Sequence, residues 1–239
     1  MEASLLSRLA RGVQTIVFDY DGTLHNSAPL YYEAFQHTYR YLVACGMAPK
    51  RDFSLPEVTA FLGLSPNEMW AQCVPALGAS DRDAAILMLG NRLEAGARDG
   101  AAVLYPGALE TVSLLRKKGY RTVLLSHCPA SYLSAHRAAF HLDRYFDGLF
   151  ATGAFGYAPK HQVFASEIKP RFPGGFLIVG DRESDMDVGR HHGAAAIGCR
   201  YGFGTEAELE TASVLIDDIR ALQNMPAPRK ARSAPPPFL

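Results

Sequence analysis

Short apolar runs recur at residues 15–18, 121–125, 148–151, 175–179 and 194–199, with a sixth candidate at 214–216. Each is continuous rather than alternating, the pattern of a parallel strand buried on both faces. Helical patterns at 109–118, 131–140, 161–168 and 186–192 fall between most of them. Strand–helix alternation of this kind predicts an α/β fold, a Rossmann-like parallel sheet with helices on both faces.

The rhythm breaks after Asp21. From about residue 30 to 96 the pattern is helical, with aromatics gathered at Tyr31, Tyr32, Phe35, Tyr39 and Tyr41. These suit helix packing better than a pocket wall. Ser65, Pro66 and Glu68 form a capping box with Pro at the first helical position, predicting a helix through Trp70 toward Val74. Residues 80–83 predict a second helix start, running toward Leu93. The expected division is a core at 11–26 and 102–225 with an all-helical insert at 27–101, hinged near 26–28 and 99–105. Thr205 and Glu208 make another capping box. The tail at 226–239 is Pro-rich and basic, a composition expected to be disordered.

Charge and composition exclude several classes. The 239 residues hold 24 basic and 24 acidic side chains, so bulk charge offers nothing to nucleic acid or an anionic membrane. No apolar run approaches the roughly 20 residues of a membrane span. Cys45, Cys73, Cys128 and Cys199 are dispersed without a CxxC, which fits a reducing compartment rather than a zinc or disulfide framework. The N-terminus has no long apolar stretch ahead of a cleavage site, and a cytoplasmic location is expected.

The chemistry begins where the first strand ends. Asp19 and Asp21, two apart, can converge past the strand end, where open α/β sheets bind ligands. Two close carboxylates repel unless a cation or proton lies between them. Gly22 and Thr23 then offer a turn, N–H groups and a hydroxyl to an anion. Asp19 is the candidate nucleophile toward phosphorus. Asp21 is the candidate general acid and base, a role expected to need a carboxyl raised toward neutrality by its anionic neighbour.

Ser126 ends a second strand, and its hydroxyl or the next N–H, that of His127, could bind a phosphate oxygen. Alone it reads more readily as a helix cap. Lys160 opens a helix in a Pro-containing loop and could reach nucleophile and phosphate as a point charge. Lys169 is rejected because no helix fits between it and the next strand. Asp181 and Asp185 follow the strand at 175–179 and supply hard oxygens suited to Mg²⁺. Asp187 reads as a solvated residue at a helix start, and His191 and His192 as surface or packing residues.

In this order the four elements resemble those of the haloacid dehalogenase superfamily of phosphohydrolases. Residues 19–23 match its first motif, Ser126 its second, Lys160 its third, and residues 180–185 its fourth. Residues 105–110 and 201–206 are similar to the phosphoglycolate-phosphatase-like subgroup, which carries a helical cap after the first motif. The resemblance implies Mg²⁺ held by the Asp19 carboxylate, the Asp21 carbonyl and Asp181, with Asp185 in support. It also implies that the turn at Gly63, Leu64 and Ser65 faces the substrate. His127 and His161 stand where many members have Asn and Pro.

The resulting expectation is a Mg²⁺-dependent phosphatase acting on a small phosphorylated metabolite, such as a glycolate-type phosphate. A sugar phosphomutase and a non-catalytic phosphate-binding module are the alternatives. A dehalogenase is disfavoured by the second acid, Asp21, and a phosphonate hydrolase by the absence of a lysine in the turn at 63–65. Neither substrate nor oligomeric state is readable.

Overall fold

A computed structural model describes residues 2–172 and 174–228. After helix α1 (Glu2–Leu9), strand β1 (Val13–Phe18) leads into a short ribbon strand, β2 (His25–Asn26). Helices α2 (Ala28–Ala44), α3 (Leu55–Thr59), α4 (Pro66–Cys73) and α5 (Ala79–Arg98) follow before the ribbon closes with β3 (Val103–Leu104). The chain continues through α6 (Ala108–Lys118), β4 (Arg121–Ser126), α7 (Ala130–Phe140), β5 (Gly148–Ala151) and α8 (Lys160–Val163). It ends with β6 (Gly175–Gly180), α9 (Glu183–His192), β7 (Ala195–Cys199) and β8 (Val214–Ile216).

Six strands form one parallel sheet in the order β5-β4-β1-β6-β7-β8. The chain moves outward from β1 to β4 and β5, then returns to the other side of β1 as β6. Strand order therefore reverses at β1, and a crevice opens beyond the carboxyl ends of β1 and its neighbours. Register aligns Phe18 with Leu124 on one side and Val179 on the other, so the residues just past each strand end meet there. Apolar residues fill both faces: Ile16, Phe18 and Leu124 on one, Val17, Val123 and Ile178 on the other. This is the two-sided burial that the continuous apolar runs predict.

The helices α2–α5 have their own core. Phe35 lies against Trp70 at 5.8 Å between ring centroids and against Phe53 at 5.1 Å, with Tyr39 beside them. Ser65 caps α4 with both bonds of its box. Helix α5 runs to Arg98, beyond the expected Leu93, and its cap is Gly78. The antiparallel ribbon of β2 and β3 ties the ends of this helical segment together. Two residues per strand leave no periodicity to read.

Three local expectations differ. The helix expected over 161–168 is one α turn from Lys160 followed by a π-helical turn over Phe164–Ile168, closed by Lys169 N–H donating to the Phe164 carbonyl at 2.9 Å. The box at Thr205 and Glu208 forms both bonds, yet only turns follow, because the chain re-enters the sheet at Val214. At the C-terminal side, Tyr120 donates to the Pro226 carbonyl at 2.7 Å, so the chain is anchored to that point. Residues 229–239 of the expected tail lie outside the described residues.

Among the described residues all four cysteines are free, and no helix is long and apolar enough to cross a membrane.

Candidate active site

The crevice beyond β1 collects side chains from four strand ends. Asp19 follows β1, and its N–H donates to the Val179 carbonyl at 2.8 Å, fixing it beside β6. Lys160, at the start of α8, donates to Asp19 Oδ1 at 2.6 Å and to Asp185 Oδ1 at 2.7 Å. All three are buried. Asp181, fully buried past β6, completes a cluster in which oxygens of Asp19, Asp181 and Asp185 lie within 4.8 Å of one another.

Each acid is held by its own donors. Asp181 accepts from Phe203 N–H at 2.7 Å and from the Thr23 hydroxyl at 3.1 Å. Asp185 also accepts from Arg182 N–H at 3.1 Å, closing the first turn of α9. Gly22 allows the approach of Asp181: its φ is +84°, and a Cβ there would strike the Asp181 carboxylate. Thr23, read from sequence as a phosphate contact, thus spends its hydroxyl on Asp181.

Three carboxylates face one ammonium in a buried volume, and the ionisation of Asp19 and Asp181 reflects this. Burial raises the Asp19 carboxyl well above its ordinary range, and Asp185 adds to that. Asp181 is pushed up to about 6, first by burial and then by Asp185. Burial alone would lower the Lys160 ammonium, but Asp185 and Asp19 outweigh it and the net shift is upward. The uncompensated charge and the all-oxygen donor set fit a hard divalent cation.

Asp21 differs from expectation. Burial would raise it, but its hydrogen bond with His25, at 2.8 Å from Nδ1, and the positive field of His25 and His136 bring it below the ordinary range. Tyr132, from α7, also donates to Asp21 Oδ1 at 2.8 Å. Behind this group, the Tyr20 hydroxyl bonds His136 Nδ1 at 2.8 Å. The expected influence was a neighbouring acid; the actual neighbours are aromatic and imidazole groups.

A cavity of ≈ 360 Å³ opens above the cluster and runs between the sheet and the helical segment. Asp19, Asp21, Ser126, His127 and Lys160 line its sheet end, and Gly63 and Leu64 line the opposite wall. Gly22, Asp181 and Asp185 lie beneath. Gly63 has φ +93°, and the guanidinium of Arg182 packs against it while donating to the Leu62 carbonyl and, at 2.7 Å, to Glu208. The His127 ring pairs with Thr152 at 2.9 Å. Of the aromatics at 30–45, Phe35 and Tyr39 are buried in the helical core, and Tyr31 faces the cavity. Away from the cluster, the His191 ring stacks on His161 at 4.1 Å, and His192 meets the His161 carbonyl at 2.8 Å.

Sequence reasoning did not find Arg182, Tyr132 or the His25–His136 pair. Arg182 was visible only as a residue inside the fourth element. Tyr132 had no local signal, because its acid partner lies 111 residues away.

Comparison with known proteins agrees with this geometry. Residues 13–193 match the family model described as haloacid dehalogenase-like hydrolase. The phosphoglycolate phosphatase of Pseudomonas putida is 26% identical over 216 residues, covering 87% of this chain and 77% of that protein. The phosphoglycolate phosphatase of Haemophilus influenzae is 28% identical over 103 residues, covering 42% of this chain and 46% of that protein. The fold matches a haloacid dehalogenase-like family protein from Streptococcus pneumoniae with a TM-score of 0.68 at 21% identity, over 87% of this chain and 95% of that one. On the extent of the family match and these relatives, the chain belongs to the haloacid dehalogenase-like hydrolases and is a phosphatase of that family.

Proposed function

We propose that this phosphatase is Mg²⁺-dependent and hydrolyses a small phosphomonoester through an aspartyl-phosphate on Asp19. The observation that carries the reading is the position of Lys160, bonded at once to Asp19 and Asp185 beside a cavity that reaches the same carboxylate. Asp19, the Asp21 main chain, Asp181 and Asp185 would hold Mg²⁺, which when bound offsets the negative charge of the carboxylates and the incoming phosphate. The helical segment at 27–101 serves as a cap over the core at 11–26 and 102–225.

The residues divide the work. A carboxylate oxygen of Asp19 attacks phosphorus as the bond to the ester oxygen breaks. The negative charge of the bound phosphate favours a proton on Asp21, which gives it to the departing alkoxide, so that the alcohol leaves. Asp21 then takes a proton from water, whose oxygen attacks the aspartyl-phosphate and releases phosphate and the Asp19 carboxylate. The Lys160 ammonium and the Ser126 hydroxyl hold phosphoryl oxygens, with the His127 N–H and the Gly22 turn nearby. Gly63 and Leu64 close the far side against water.

The test is phosphate release from a panel of esters with and without Mg²⁺, with phosphoglycolate as the reference suggested by the curated relatives. Mg²⁺-dependent release that Asp21→Asn lowers by roughly 10²-fold or more supports the reading. Turnover indifferent to Mg²⁺ or to this substitution contradicts it.

A further inference from the structure

The chemistry of the cavity wall points to a substrate. Beyond the phosphate end, the wall from the helical segment is aliphatic and aromatic: Tyr31, Phe61, Met69, Ile86, Leu89 and Leu93. Among the described residues, its lysines and arginines are Lys160 and Arg182 alone. Lys160 sits at the phosphate end between Asp19 and Asp185. Arg182 is engaged by Glu208 at 2.7 Å and by the Leu62 carbonyl. His127 is bonded to Thr152, and burial lowers its affinity for a proton. Glu183 adds acid to the rim, while Glu208 offsets the charge of Arg182. A second carboxylate on the substrate would therefore meet apolar surface and like charge, with no cation to receive it.

Gly90 of α5 adds to this. It lines the cavity, and a Cβ built on it would have no heavy atom within 4 Å. A mid-helix glycine costs about 1 kcal/mol relative to alanine, and here it leaves open space in the wall beside Leu89 and Leu93.

Building on the phosphatase reading, we infer that the preferred substrate is the phosphate ester of an uncharged, largely apolar alcohol, whose hydrocarbon occupies the chamber beside Gly90, rather than the ester of a hydroxy acid. The test is kcat/KM with Mg²⁺ for methyl, butyl, hexyl and phenyl phosphates and phosphoglycolate. The series should rise from methyl to hexyl by roughly fourfold for each methylene that becomes buried, with hexyl and phenyl phosphates at least about tenfold above phosphoglycolate. Gly90→Leu should lower the hexyl-to-methyl ratio by about tenfold or more, since leucine suits the helix and fills the chamber. A flat series, a preference for phosphoglycolate, or an unchanged ratio in Gly90→Leu overturns the inference while leaving the phosphatase reading intact. Failure to hydrolyse any ester removes that reading, and the inference falls with it.

Discussion

Tyr132 and Asp21 meet at 2.8 Å, hydroxyl to carboxylate, across 111 residues of chain. The same Asp21 oxygen lies 2.8 Å from His25 Nδ1, so the proposed acid is held by an imidazole and a phenol. Both contacts are made on Oδ1, so protonation of a leaving oxygen falls to Oδ2 while Tyr132 and His25 hold the carboxyl in place. Tyr132 thus acts as a positioning residue, and Tyr132→Phe should lower kcat by roughly ten- to a hundredfold, the worth of one hydrogen bond to a charged group. KM should change much less. Steady-state kinetics on one ester separates the two, and a change confined to KM would contradict the role.

Among the described residues, Lys160 is the cation that pairs with the buried acid cluster. Lys160→Met should leave Asp19 and Asp185 uncompensated and destabilise the metal-free protein by about 3–5 kcal/mol. Mg²⁺ should recover part of that loss, so the Mg²⁺-induced rise in Tm should be larger in the variant than in the wild type. Thermal denaturation with and without Mg²⁺ measures both.

Protons and Mg²⁺ should compete for the same oxygens. Asp181 sits at about 6 and Asp19 is also raised. An acid whose folded value lies above its unfolded one favours the folded state as pH falls through the folded value, and it must lose that proton to bind a cation. The stabilisation given by a fixed Mg²⁺ concentration should therefore be largest above pH 6 and shrink as pH falls below it. A Tm increment equal at pH 5 and pH 7.5 would contradict this.

His136 titrates in the other sense. Burial, and then the charge of His25, lower it from its ordinary 6.5 to about 4. A base whose folded value is depressed contributes stability above its unfolded value and loses it as pH falls from 6.5 toward 4. The loss is on the order of 3 kcal/mol. His136→Gln, which keeps an acceptor for Tyr20, should flatten the acid side of the stability profile in urea denaturation.

The sheet was legible because parallel strands buried on both faces must be continuously apolar, and the runs ending at Phe18, Leu125 and Val179 are. The acids past those ends were legible because the register of β1 and β6 brings strand ends together whatever the intervening chain does. Less could be read where a few residues matter or where partners are distant. The ribbon at His25 and Val103 is too short for periodicity. The Thr205 box promises a helix that Val214 leaves no room for, and its Glu208 is shared with Arg182. Thr23 looks like an anion donor until Asp181 arrives from 158 residues away. The direction of the Asp21 shift depends on Tyr132, His25 and His136, which no spacing rule brings together.

The most direct measurement of the central claim is acid quench during turnover with Mg²⁺, followed by peptide mass spectrometry. The account predicts phosphate bound to the peptide carrying Asp19, and neither adduct nor phosphate release in a folded Asp19→Asn variant. Continued Mg²⁺-dependent phosphate release by Asp19→Asn, or an adduct on a different residue, would contradict it.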